Sequence, residues 1–222
     1  MIVNVAIDGP AGAGKSTVAR AAAKELGYIY VDTGALYRAV GVCALRLGIA
    51  TDDAAAVEGI LGSVKVELKF TNGEQQVFLN GENVSSEIRT PEASMAASNV
   101  SAIPAVRAFL FDLQKNIAAE NDCIMDGRDI GTVVLPDAQV KIFLTASPEI
   151  RARRRYDELT AKGQQVEYND VLDDLIKRDY NDSHREVAPL RPADDSVTVD
   201  TSGLSLEQSI ERVIQAVREK IQ

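Results

Sequence analysis

The sequence has 222 residues, which is enough for one large domain or two small ones. Its formal net charge of −9 argues against a nucleic-acid partner, because such proteins usually present a basic surface. No apolar run is long enough to span a membrane, and Asp8 interrupts the N-terminal apolar stretch that a signal peptide would need. Cys43 and Cys123 are the only cysteines, so we expect reduced thiols, a cytoplasmic location and no zinc centre.

Strand-like and helix-like segments alternate along the chain. Short apolar runs predict strands over residues 2–7, 28–31, 122–126, 139–145 and 196–200. Longer runs predict helices over residues 15–26, 34–47, 91–120 with a break at Pro104, 148–162, 168–182 and 205–221. This alternation is typical of a central parallel sheet flanked by helices, and we therefore expect an α/β fold.

Residues 64–84 break this alternation, because apolar and polar residues follow one another there with a period of two. Asn72-Gly73 and Asn80-Gly81 are dipeptides that favour tight hairpin turns. We expect a small antiparallel insertion of two or three strands. It is either a decorative hairpin or a part of the substrate-binding region.

The strongest motif lies between the first predicted strand and the first predicted helix. It consists of Gly9, Pro10, Ala11, Gly12, Ala13, Gly14, Lys15 and Ser16, and it fits the phosphate-binding pattern GxxxxGK[ST]. Its glycines let backbone N–H groups turn inward towards a polyphosphate. Lys15 would reach the β- and γ-phosphates and the Ser16 hydroxyl would ligate Mg²⁺. The motif predicts a nucleotide site but does not name a reaction.

Two further segments follow predicted strands, where the sheets of α/β proteins bind their ligands. Residues 32–38 offer Thr33 and Arg38, although Thr33 could instead cap a helix and Arg38 could be an ordinary surface charge. Residues 126–129 read Asp-Gly-Arg-Asp. Their arginine could hold a phosphate, because guanidinium groups match phosphate oxygens. Asp126 could order Mg²⁺ through water or anchor its loop.

Two predicted helices are rich in arginine. Four of the residues 151–155 are arginines, and they form either a solvated surface or a lid that closes on ATP and neutralises the transferring phosphoryl group. Arg178, Asp182 and Arg185 are spaced so that they can share one helix face, as an intrahelical salt-bridge set or as part of a site. For His184 we expect a surface or packing role.

Taken together, these motifs resemble those of bacterial-type cytidylate kinases over nearly the whole chain. The resemblance rests on residues 7–16, 32–38, 126–134, 140–147, 178–185 and 188–190. It implies a single P-loop kinase domain over residues 1–222, with a central parallel sheet flanked by helices. Within it, residues 1–60, 85–147 and 184–222 would form the core. Residues 61–90 would form a β insertion on the monophosphate side, and residues 148–183 an arginine-rich helical lid.

The resemblance also implies an activity, namely transfer of the γ-phosphoryl group of ATP to CMP or dCMP in pyrimidine nucleotide metabolism. It implies Mg²⁺ as cofactor and a cytoplasmic monomer without nucleic-acid or membrane partners. The implied ATP ligands are residues 9–16 and Thr17, with Ser16 and Thr17 competing as the metal ligand. The implied catalytic residues are Lys15, Arg128, Arg154 and Arg185. The implied CMP ligands are Thr33, Arg38, Ser98, Arg107, Arg128, Asp129, Arg178, Asp182 and Arg185.

Within that set, Ser98, Arg107 and Asp129 would read the cytosine edge, which offers an amine donor beside acceptors. Uracil would present a carbonyl group to Asp129, and such a buried mismatch should cost about 1–3 kcal/mol. Two alternatives remain. A kinase of an alcohol would need a carboxylate base, such as Asp126 or Asp129. A non-enzymatic nucleotide switch has no second phosphate to hold, so the density of arginines argues against it.

Overall fold

The computed structural model describes residues 2–71 and 74–221. In chain order the helices and strands are β1 (Asn4–Asp8), α1 (Lys15–Leu26), β2 (Ile29–Asp32), α2 (Thr33–Arg46), α3 (Ala54–Ile60), β3 (Val66–Thr71), β4 (Glu74–Leu79), β5 (Glu82–Asn83), α4 (Pro91–Val100), α5 (Pro104–Glu120), β6 (Cys123–Gly127), β7 (Val140–Thr145), α6 (Pro148–Ala161), α7 (Tyr168–His184), β8 (Val197–Asp200) and α8 (Leu206–Ile221). They fall into two compact units, one of Val3–Tyr28 with Cys123–Gln222 and one of Ile29–Asp122.

The first unit is built on a parallel sheet in which the strands follow the order β6-β1-β7-β8. In β1, Ile7 lies opposite Asp126 of β6 and Ile142 of β7. Val5, Ala6 and Ile7 are at most 1% exposed, as expected for a parallel strand that is covered on both faces. Helices α1 and α8 pack against each other and against strands of this sheet. The predicted α/β fold is therefore confirmed.

Helix boundaries in this unit follow local sequence signals. Helix α1 coincides with the predicted residues 15–26. Ser147 caps α6 by accepting a hydrogen bond from the Ile150 N–H group, and Pro148 occupies the first helical position. None of the described helices combines the length and the apolar composition that crossing a lipid bilayer requires.

The second unit contains the predicted antiparallel insertion, which has three strands in the order β3-β4-β5. Asn80 and Gly81 join β4 to β5 with φ angles of 49° and 85°, as a tight primed hairpin turn requires. The other predicted turn, at residues 72–73, lies outside the described residues. The sequence did not predict the seven-residue helix α3, whose N-cap is Asp53.

Helix α2 forms the centre of the second unit's core. It crosses α4 so closely that a Cβ atom at Gly41 would lie 2.7 Å from the Cβ atom of Ala96. This contact sets the spacing between the helix that carries Arg38 and the helix that carries Ser98. The finer division into core, insertion and lid stays a prediction.

Candidate functional site

The glycine-rich loop of the first unit lies between β1 and α1. Gly9 has a φ of 152°, and a Cβ atom there would collide with the carbonyl oxygen of Leu144 in β7. Only glycine therefore allows the loop to leave the sheet at this point. Gly14 adopts a left-handed conformation with a φ of 89° directly before α1. The free N–H groups at the start of α1 then make this end of the helix a site for an anion.

Lys15 is folded over the loop rather than extended into solvent. Its Nζ atom donates a hydrogen bond of 2.8 Å to the carbonyl oxygen of Pro10, and the residue is 6% exposed. Burial, and then repulsion by the Arg128 guanidinium, lower the pKa of Lys15 from 10.5 to about 7. A bound anion would stabilise the charged form of Lys15, so the arrangement favours a phosphate close to Nζ.

Ser16 and Asp126 supply two adjacent oxygen ligands. The Ser16 hydroxyl donates a hydrogen bond of 2.9 Å to Oδ2 of Asp126, which is 4% exposed in β6. Across residues 2–71 and 74–221, no cluster of three or more histidine, cysteine or acidic side chains could hold a metal by itself. Mg²⁺ usually takes one or two protein oxygens and completes its shell with phosphates and water, so this pair fits Mg²⁺.

Asp8 holds the loop that follows β6. Its Oδ1 atom accepts a hydrogen bond of 2.8 Å from the Ile130 N–H group, and its Oδ2 atom accepts one of 2.7 Å from the Gly131 N–H group. A π-helical turn, Ile130–Val134, begins there, a form of helix often found at functional sites. Asp8 thus fixes the backbone next to Asp129. The sequence motifs assign Asp8 no role in the site, although a carboxylate at the end of an apolar strand is a signal that points to one.

Arg128 and Arg178 lie close together, and Arg128 forms an ion pair with a carboxylate of α7. The Nε atom of Arg128 donates a hydrogen bond of 2.9 Å to Oδ2 of Asp182, and these two side chains are 24% and 13% exposed. The guanidinium of Arg178 makes neither a hydrogen bond nor an ion pair with any residue in the described part of the chain. Burial, and then the charge of Arg128, lower the pKa of Arg178. For Arg128 the balance is the opposite, because burial is outweighed by Asp182, Asp126 and Asp179, which raise its pKa. Arg178 is therefore the member of the pair that is short of negative charge.

The interpretation of Arg178, Asp182 and Arg185 as an intrahelical salt-bridge set is therefore wrong. Asp182 bonds to Arg128 of a different segment. Arg185 lies one residue beyond α7, and its Nη2 atom is 3.1 Å from Oδ1 of Asp129. The last two side chains are 9% and 6% exposed, so this pair is also buried.

The arginines of α6 have four different surroundings and form no uniform solvated surface. Arg153 lies 4.5 Å from the ring centroid of Tyr168, and Arg155 pairs with Glu158 at 2.9 Å. Arg154 lies against the glycine-rich loop. Its hydrogen bonds run to the Thr201 hydroxyl at 3.0 Å, the Thr201 carbonyl at 2.8 Å and the Ala13 carbonyl at 3.4 Å. Arg151 is buried.

Four predicted CMP ligands lie in the second unit, two of them in the first turns of α2. The possible role of Thr33 as a helix cap is wrong, because Asp32 accepts the capping hydrogen bond from the Ala35 N–H group. Thr33 is the first helical residue and is 3% exposed. Asp32 also binds Nη2 of Arg38 at 2.6 Å, while the buried Nε atom of Arg38 meets no acceptor in the described chain.

Ser98 and Arg107, the other two ligands, are linked through one residue. The Ser101 hydroxyl donates a hydrogen bond of 2.9 Å to the Ser98 carbonyl, and Nη1 of Arg107 donates one of 3.4 Å to the Ser101 carbonyl. Arg107 is 8% exposed, and its guanidinium lies 5.8 Å from the ring centroid of Tyr37. His184, in contrast, stacks on the exposed Tyr180 at 4.0 Å, as expected for a surface histidine.

Comparisons with known proteins agree with these features. Residues 5–219 match the model of the cytidylate kinase family. The chain is 51% identical over 213 residues to a cytidylate kinase of Caldicellulosiruptor bescii, with 96% of this chain and 94% of that protein covered. It is 50% identical over 216 residues to one of Geobacter sulfurreducens, with coverages of 97% and 93%. A shikimate kinase structure from Bacteroides thetaiotaomicron is 13% identical, with a TM-score of 0.50 and coverages of 98% and 99%, which supports the fold alone.

The buried position of Asp8 predicts a dependence of stability on pH. Burial raises the pKa of Asp8 from 3.8 to about 6, so between these values the folded protein holds a proton that the unfolded chain has released. The contribution of Asp8 to the free energy of unfolding should therefore fall by about 2–3 kcal/mol as the pH rises from about 4 to 6, and stay level above it.

Urea unfolding of the wild type and of Asp8→Asn between about pH 4 and 7 measures this contribution. The difference in the free energy of unfolding, wild type minus variant, should decrease over that interval. The misplaced amide of the variant adds a constant offset, so only the trend matters. A difference that is level or increases with pH would contradict the prediction.

Proposed function

The chain belongs to the cytidylate kinase family and is an ATP-dependent kinase of CMP and dCMP, and we propose which of its residues carry this reaction. The observation that carries the proposal is the shortage of negative charge at Arg178, which lies beside Arg128 and whose pKa is lowered by burial and then by the charge of Arg128. Two neighbouring guanidinium groups share Asp182, and Arg178 has no hydrogen-bonded partner of its own among the described residues. The phosphate of a nucleoside monophosphate bound to Arg128 brings negative charge into this region, which stabilises the charged form of the neighbouring Arg178.

The donor is held by residues 9–16 and Thr17. Backbone N–H groups of the loop and the start of α1 bind the phosphates, and Lys15 moves from the Pro10 carbonyl to the β- and γ-phosphates. Arg154, which already contacts the Ala13 carbonyl, adds positive charge on this side. Ser16, supported by Asp126, holds Mg²⁺, with Thr17 as the competing ligand. The ion when bound neutralises charge on the phosphates.

The acceptor phosphate binds to Arg128 and Arg38, with Arg178 and Asp182 near the sugar and Arg185 near the phosphate or sugar. In the second unit, Thr33 contributes a hydroxyl group, and the Nε atom of Arg38 is a donor that meets no acceptor among residues 2–71 and 74–221. Asp129, Ser98 and Arg107 read the cytosine edge. Arg107 is well suited to this because Tyr37 and the Ser101 carbonyl restrict its orientation.

In the reaction, an oxygen of the acceptor phosphate forms a bond to the γ-phosphorus of ATP. The bond from that phosphorus to the bridging oxygen breaks, and ADP leaves with the electron pair. The attacking oxygen is already anionic near neutral pH, so no general base is needed. Positioning and neutralisation of charge by Lys15, Arg128, Arg154 and Arg185 account for the rate.

The engagement of the available carboxylates disfavours the kinase of an alcohol. Asp126 accepts a hydrogen bond from Ser16, and Asp129 is paired with Arg185, so neither is poised as a base. The finer expectations of a monomeric enzyme in the cytoplasm stay part of this proposal.

We expect a clear order of acceptors when ADP release from Mg-ATP is measured. CMP and dCMP should turn over rapidly, UMP weakly, and AMP or no acceptor not at all. The physical reason is the complementarity of Asp129, Arg107 and Ser98 to the cytosine edge. ADP release that does not depend on the acceptor would show that the proposed acceptor site does not bind CMP for the reaction.

Lys15→Ala should lower kcat for CMP by about 100-fold or more, because one charge that stabilises the transferring phosphoryl group is lost. The free energy of unfolding should not fall, since burial already disfavours the Lys15 charge. Steady-state kinetics and urea unfolding test both statements. Lys24→Ala, an exposed lysine of the same helix, is the control and should retain wild-type kcat. Normal turnover of Lys15→Ala would refute the role.

Asp129→Ala should relax the preference for cytidine. The ratio of kcat/KM for CMP to that for UMP should fall about 10-fold or more, because the acceptor-to-acceptor mismatch with uracil disappears. Both rates will fall as Arg185 loses its partner, so the ratio is the decisive quantity. Asp137→Ala, at an exposed position further along the loop, should leave the ratio unchanged. An unchanged ratio in Asp129→Ala would remove this residue from base recognition.

A further inference from the structure

Arg151 connects three separate parts of the first unit through one guanidinium group. Its Nε atom donates a hydrogen bond of 2.8 Å to the carbonyl oxygen of Ala146, just after β7. Its Nη1 atom donates one of 2.9 Å to the carbonyl oxygen of Ala11 in the phosphate-binding loop. Its Nη2 atom is 2.6 Å from Oδ2 of Asp179 in α7. At 3% exposure, the residue is not available as a lid arginine that reaches the donor from solvent.

Apolar packing supports the same connection. Ala11 of the loop belongs to a small hydrophobic cluster, the α6–α7 cluster, whose other buried members are Ala152, Leu159, Val171 and Leu175. The loop also rests directly on α6, because a Cβ atom at Gly12 would lie 3.2 Å from the Cβ atom of Arg151. The phosphate-binding loop is therefore seated on both helices.

Stability alone is a poor explanation for this ion pair. The Arg151 side chain is 4% exposed and the Asp179 side chain 24% exposed. Such an ion pair often contributes no more to stability than well-packed apolar residues of similar volume, because the buried charge loses its hydration. The second carboxylate oxygen of Asp179, Oδ1, is buried and accepts no hydrogen bond from the described chain, which adds to the cost. The arrangement is better explained by what Arg151 holds in place.

Helix α7 also carries residues of the acceptor site. Asp182 lies three residues after Asp179, on the same side of the helix, and pairs with Arg128. Helix α7 therefore joins two sets of contacts. Arg151 links the Ala11 carbonyl to Asp179, and Asp182, three residues later on the same helix, pairs with Arg128.

We propose that Arg151 and Asp179 are positioning residues that hold the phosphate-binding loop and the Asp182–Arg128 pair in register for phosphoryl transfer. The inference rests on the proposed function, because it takes the loop as the donor site and Arg128 as an acceptor ligand. Neither residue touches substrate. Loss of the pair displaces both sites at once, so the KM values for ATP and CMP rise together.

Three variants test this inference. Asp179→Asn keeps the shape of the side chain but removes the charge. Arg151→Lys keeps the charge but loses the planar fork, so it cannot make all three bonds. The double variant Arg151→Met with Asp179→Leu replaces the pair by apolar groups and should unfold at a urea concentration close to that of the wild type. For each variant, kcat/KM should fall about 10- to 100-fold for both substrates, with both KM values raised.

The double variant separates positioning from stability. If it is as stable as the wild type and has raised KM values, the proposal is supported. If its KM values are those of the wild type, the pair is merely structural and the proposal is overturned. Should the double variant not fold, the two single variants decide in the same way, assayed at a temperature where each is fully folded. The matched control is Glu25→Gln, which breaks an exposed ion pair with Arg218 and should change neither KM.

A failure of the proposed function gives a result that differs from a failure of the positioning role. In that case the wild type itself would not phosphorylate CMP. The positioning role would then be read from the dissociation constant of Mg-ATP, measured by calorimetry on the wild type, Asp179→Asn and Arg151→Lys. Weaker binding by about 10-fold in both variants supports the role, and equal binding overturns it.

Discussion

The burial of charge at the carboxyl ends of β1 and β6 is the constraint on which the rest of the site depends. Asp8, Lys15, Asp126 and Asp129 are each at most 6% exposed. A buried charge costs free energy unless partners are already in place, and here the partners come from neighbouring loops and helices. The loops are consequently fixed before a ligand arrives. The remaining imbalance at Lys15, visible in its lowered pKa, is the part that a polyanionic ligand can relieve.

The arginines show how one residue type serves different ends in an acidic protein. Arg151 forms its hydrogen bonds with internal partners, and Arg154 lies at the edge of the phosphate-binding loop. Arg128 is half engaged through Asp182, while Arg178 has no such partner in the described chain. These environments range from three internal bonds at Arg151 to none within the described chain at Arg178, and Arg178 lies in the proposed acceptor site. The number of arginines in the sequence says less about the reaction than the number of hydrogen-bond partners that each of them has in the structure.

Local patterns predicted most of the fold. The glycine-rich motif with its apolar flanks predicted both ends of helix α1 correctly, and the dipeptide Asn80-Gly81 predicted the hairpin turn at that position. The family resemblance predicted the activity, and the roles of individual ligands remain predictions. The side chains that anchor the loops, Asp8 and Arg151, could not be predicted from the sequence, because their partners are far away in the chain. Asp8 bonds to a residue 122 positions later, and Arg151 to one 140 positions earlier. Periodicity and capping rules contain no information about such contacts.

Asp8 holds its loop in a way that leaves the acceptor site free to diverge within the fold. The carboxylate binds main-chain N–H groups of Ile130 and Gly131, so the anchor does not depend on the side chains of Arg128 and Asp129. Replacement of those two residues leaves the loop attached to β1. Recognition of the acceptor can therefore change by substitution while the donor loop, which follows the same strand, keeps its geometry. Because the anchor uses main-chain N–H groups, single substitutions at these positions can change the specificity for the acceptor.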